Sequence, residues 1–144
     1  MRQTKAIRSR ALLLALAGGL GFWATNFLIS LTPLAEEYRA ALSIPYLPML
    51  LASLLGGLVI GFWVGWFLLR FFDRIPTTGP VSKSMLLSLA VFIVVTVLAA
   101  GPARLFSAAG NALRSFRVGA AFNAVRILAL GAAVGHLAGR RIGV

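Results

Sequence analysis

The chain contains no cysteine, a single histidine (His136) and only three acidic residues, Glu36, Glu37 and Asp73. Without cysteine there are no disulfides and no thiolate metal ligands. A lone histidine without acids nearby makes a poor metal site, and no base–nucleophile pair can be assembled around it. Catalysis by paired titratable groups needs such a pair in a cleft, and the long apolar runs contain no Asp, Glu or Lys. The expectation is a non-enzymatic protein with no catalytic residues, no cofactor and no metal.

Charge of either sign is scarce. Charged residues make up 12% of the chain and hydrophobic ones 60%, with a mean hydropathy of +0.93. A soluble domain carries about a quarter charged residues, because its surface faces water. Half that fraction leaves too little polar material to cover a soluble globule of 144 residues. The charges present are lopsided, 14 Lys and Arg giving a net +11. They bracket apolar runs and form no free basic stripe interleaved with aromatics, so the pattern speaks against nucleic acid. It fits topology signalling and contact with anionic lipid headgroups.

What is present is a set of long apolar segments. Residues 11–32, 49–70, 84–101 and 118–139 each have the length and composition of a membrane-crossing helix. β-branched residues crowd the third, yet a lone strand in lipid would leave its backbone unsatisfied, so helix is predicted there too. The first run is longer than the apolar core of a signal peptide, and Pro33 interrupts the best small-residue site near Ala35, so it is read as uncleaved. Between the first two runs, Thr32-Pro33 followed by Glu36 and Glu37 predicts a short interfacial helix over 33–42, with Tyr38 and Tyr46 at headgroup level. Ser82 is read as a cap for the third span. Beyond Gly101-Pro102, polar Arg104, Ser107, Asn111 and Arg114 recur at helical spacing and predict a second, basic interfacial helix over 103–117. The fold class is therefore all-α, a single transmembrane domain over 1–144 with four spans and two short interfacial helices.

Counting basic residues sets the orientation. Nine (Arg2, Lys5, Arg8, Arg10, Arg70, Arg74, Lys83, Arg140, Arg141) fall on the side of the termini and four (Arg39, Arg104, Arg114, Arg117) on the other. Both termini are thus expected in the cytoplasm of a cell-membrane protein. The arginines of 103–117 dissent, leaving that segment's side open.

Lipid tails are as apolar as leucine, so spans associate through close-packed small residues. The second span offers Ser53, Gly57, Gly61 and Gly65; the fourth offers Gly131, Gly135 and Gly139; the first offers Ala17, Gly21 and Thr25. At 1.5 Å per residue, Gly65 lies about 7 Å from Arg70 and Gly135 about 7 Å from Arg140, so the three ridges can meet at matched depth. They predict a tight bundle or a homo-oligomer contact. GGLGFW at 18–23 also echoes GGLVIGFW at 56–63, as inverted repeats of transporters do.

Arg126 is the outlier, placed near the midplane of the fourth span. A lone arginine there costs at least about 2.5 kcal/mol. It should face protein, water or a partner, and the predicted cluster is Arg126, Asn123, Asn26, Thr96 and Glu36. Such a cluster reads as interhelical bonding, as a substrate or ion site, or as a mis-set span whose arginine snorkels outward. The leading functional expectation is an accessory or scaffolding subunit of a membrane assembly, or a homo-oligomer packed through the glycine ridges. Its partners would be lipid and other membrane subunits or itself. The alternative is a small-solute or ion transporter using Arg126.

Overall fold

The computed structural model describes residues 2–106 and 112–142. Five α-helices run in order: α1 (Arg2–Ser30), α2 (Pro33–Ala41), α3 (Tyr46–Phe71), α4 (Pro80–Phe106) and α5 (Ala112–Leu137). A 3-10 turn (Phe72–Arg74) follows α3 and a π turn (Ala138–Ile142) follows α5. Among the described residues there is no strand. Stretches of α1, α3, α4 and α5 are long and apolar enough to cross a membrane, which makes the chain compatible with a multi-pass membrane protein.

Local chemistry sets the helix ends. Thr32 caps α2, its Oγ1 accepting from the Ala35 N–H at 3.3 Å, with Pro33 in the first turn. α3 opens at Tyr46 rather than 49, because Pro48 falls in its first turn, where a missing N–H costs nothing. α4 opens at Pro80 rather than 84, and Ser82 is inside the helix instead of capping it. The chain turns there on Gly79, whose φ of +81° suits glycine, and the Gly79 carbonyl accepts from the Lys83 N–H at 3.2 Å.

The second interfacial helix is not a separate element. Residues 103–106 continue α4 and 112–117 belong to α5, while 107–111, with Ser107 and Asn111, lie outside the described residues. Gly101 and Pro102 do not stop α4. An internal proline forfeits one backbone hydrogen bond, whereas ending the helix frees four carbonyls, the heavier cost in apolar surroundings.

α1 is the hub, packing against both α3 and α5, while α4 packs mainly on α5. The glycine ridges make these seams, but not with one another as predicted. Gly57, Gly61 and Gly65 of α3 press on the Leu14–Ala15–Gly19–Phe22 side of α1. A Cβ added at Gly61 would lie 3.0 Å from the Ala15 carbonyl oxygen, and one at Gly65 would lie 2.8 Å from Leu14 Cβ. Gly131 and Gly135 instead face α4: an added Cβ would lie 2.5 Å from Ser88 Oγ and 2.5 Å from Val81 Cα respectively. Gly139 faces Pro80, and Gly21 of α1 faces Ala129 and Ala133 of α5. Each ridge thus has its own neighbour, because four antiparallel helices give every small-residue stripe a different facing surface. Inside the seams, Leu14, Val64, Leu68, Ile127, Leu130 and Val134 form a closed apolar core. Outside, Leu12, Leu16, Leu28, Leu51, Leu55 and Trp63 are exposed, as spans that meet lipid require.

Candidate functional site

The predicted polar cluster separates into two parts. Asn26 is fully buried in α1, and its Nδ2 donates to Ser53 Oγ on α3 at 2.9 Å. Ser53 in turn donates to the Leu50 carbonyl at 2.8 Å. Ser53 is therefore a polar tie between α1 and α3 as well as a small packing residue. Arg126 takes no part in it. Its Nη1 donates to Asn123 Oδ1 on the same helix at 3.2 Å, and its guanidinium lies 5.8 Å from the Phe122 ring centroid. The Arg126 Nε is buried without a hydrogen-bond partner. Thr96 Oγ1 on α4 is likewise buried and unpartnered, and Thr96 does not line the space around Arg126. Glu36 is exposed, bordering an open surface groove with Arg39, Ala40 and Ser43.

Arg126 is not at mid-bundle. Gly21 sits between Ala129 and Ala133, so Arg126 lies about 7 Å further along α5 toward α2, level with the last two turns of α1. α5 begins at Ala112 rather than 118, and its first turns rise past the end of α1 toward α2.

α2 forms a roof above it. Tyr38 lies over Gly119, where an added Cβ would be 2.6 Å from its hydroxyl, and meets Phe122 edge-on at 5.8 Å. On one side of Tyr38 the roof is tied by the Glu37–Arg114 ion pair at 2.9 Å. On the other, Arg39 stacks 4.7 Å from the Tyr46 ring centroid. Beneath lies a cavity of about 160 Å³ lined by Ser30, Ala35, Tyr38, Arg39, Ile44, Met49, Phe122 and Arg126. Two arginines line it and no acidic residue does; Arg39 Nε donates to the Ala35 carbonyl at 3.4 Å. A neighbouring cavity of about 180 Å³ holds Arg114 together with its partner Glu37, so its cation is already paired.

The roles of Tyr38 and Arg39 were hidden in the sequence. Arg39 reads there as one more interfacial charge, although it falls one residue after the tyrosine that docks α2. At the opposite end of the bundle, Lys83 is 8% exposed, with its Nζ donating to the Phe72 carbonyl at 2.5 Å and lying 3.9 Å from the Phe72 ring centroid. It closes the frayed end of α3 and does not face headgroups as the loop count assumes. His136 is exposed, and among the described residues no three metal-ligating side chains converge. Comparison with protein families, with curated proteins and with solved structures finds no match to this chain.

Proposed function

We propose that this is a non-enzymatic, multi-pass membrane protein of accessory type, whose binding element is the pocket roofed by α2. The pocket holds an anionic group between Arg39 and Arg126. The supporting observation is two arginines lining one cavity whose lining includes no acidic residue, with the buried Nε of Arg126 lacking an acceptor. Arginine presents a planar fork of donors that suits carboxylate and phosphate oxygens alike. Arg126 donates to no other helix among the described residues, so interhelical bonding gains no support from it.

Two finer readings lose ground. A route for a transported solute would continue past Arg126, but Ile127, Leu130 and Val134 are at most 2% exposed and fill the bundle below it. The glycine ridges are occupied within one chain, so they offer no support for packing between copies. Other membrane subunits remain the proposed partners, and the basic excess beside the termini supports a cell-membrane location with both termini cytoplasmic.

The test is the melting temperature of the purified chain in neutral detergent, with phosphate compared against chloride. Phosphate stabilises folded proteins generally, so the variants carry the comparison. Phosphate is expected to raise the wild-type melting temperature more than that of Arg39→Gln or Arg126→Gln. Equal responses in all three overturn the reading.

A further inference from the structure

We infer that the anionic group is the phosphate of an anionic phospholipid, whose head sits under α2 while its acyl chains run outward over the bundle. This rests on the anion-binding reading above. Size is the first argument. The cavity measures about 160 Å³. Sites for whole organic solutes start near 300 Å³. The cavity is therefore of a size for a headgroup phosphate and below that for a drug-sized solute.

The lining is the second argument. Ser30, Tyr38, Arg39 and Arg126 supply polar atoms, while Ile44, Met49 and Phe122 supply an apolar wall. A ligand that is anionic at one end and apolar at the other meets both surfaces at once; inorganic phosphate meets only the first.

Depth is the third. The pocket lies where α1 ends, α3 begins and the amphipathic α2 docks, with Tyr38 and Tyr46 flanking Arg39. That is the headgroup level of a bilayer, where phospholipid is the concentrated source of phosphate. Basic pockets between membrane helices are established headgroup sites in general.

The experiment offers the full-length chain, in neutral detergent, phosphatidylglycerol, phosphatidylcholine or inorganic phosphate. Native mass spectrometry reads retained lipid and calorimetry reads phosphate. Wild type is expected to keep phosphatidylglycerol under conditions that strip phosphatidylcholine. Arg39→Gln and Arg126→Gln should each weaken that retention about tenfold or more, as loss of a charge-assisted hydrogen bond does. Arg126→Lys, which keeps the charge without the fork, should fall between, and Arg70→Gln, exposed at the far end of α3, should match wild type. Circular dichroism confirms that each variant is helical. Phosphate binding through the two arginines without preference for phosphatidylglycerol overturns the lipid assignment and leaves the anion reading intact. Undiminished phosphatidylglycerol retention in the Arg39→Gln/Arg126→Gln double variant overturns the site. Binding of neither probe overturns both.

Discussion

Asn26 is buried and Arg126 half-buried at similar depth, yet they are held in different ways. Asn26 spends a donor across a helix boundary, on Ser53. Arg126 reaches only Asn123, one turn back on its own helix. Their removal should therefore have opposite effects. Asn26→Leu breaks an interhelical hydrogen bond, which in membrane proteins costs about 0.6 kcal/mol on average and up to about 1.7. Unfolding measured in mixed micelles should show a loss in that range. Arg126→Leu removes a charge that has no counter-charge and should leave stability unchanged or raise it, while reducing the effect of phosphate on melting to the general one. A loss of several kcal/mol on Arg126→Leu would mean that the guanidinium ties helices together after all.

At the scale of elements, the seams make a sharp contrast between neighbouring glycines of α3. Nothing lies within 4 Å of a Cβ added at Gly56, whereas one at Gly61 would meet the backbone of Ala15 and Gly19. Gly56→Ala should be neutral or stabilising by up to about 1 kcal/mol, through helix propensity alone. Gly61→Ala must push α1 and α3 apart and should cost about 1–3 kcal/mol, as overpacking does. Equal effects of the two changes in the same unfolding assay would contradict the seam. α2 gives a further expectation. Its Glu37–Arg114 pair is exposed, so Glu37→Gln should change stability by no more than about 1 kcal/mol. Gly119→Val, which collides with Tyr38, should instead lift the roof and speed hydrogen exchange of the α2 amides.

These elements also show what the sequence could convey. Spans are long and apolar for reasons internal to each segment, so they were legible, as was the capped start of α2 at Thr32-Pro33. The regular spacing of Gly57, Gly61 and Gly65 announced a close approach but could not name its partner, because periodicity fixes a face and not what faces it. Pro102 misled for a related reason: its local preference to end a helix gives way when the surroundings offer no donor for the freed carbonyls. The pocket was least legible. It depends on α2 folding back over Gly119 and on α5 rising past α1, and both are relations between segments far apart in the chain.

At the scale of the whole molecule, α1 joins α3 and α5 into a bundle whose packing seams are satisfied within one chain and whose outer surface is apolar. The inward-facing cations divide between the ends: Lys83 closes one, and Arg39 and Arg126 line the cavity under α2 at the other. Between them lies a core with no side-chain charge, so the pocket is a cup and not a passage. The chain lacks cysteine, so single cysteines can be introduced without background labelling. The most direct measurement is therefore the reaction of Arg126→Cys and Leu130→Cys with a negatively charged thiol reagent, applied in turn to each face of reconstituted vesicles. The cup requires Arg126→Cys to react only from the α2 side, while Leu130→Cys reacts from neither. Labelling of position 130, or of position 126 from both faces, would show a continuous path through the bundle and contradict it.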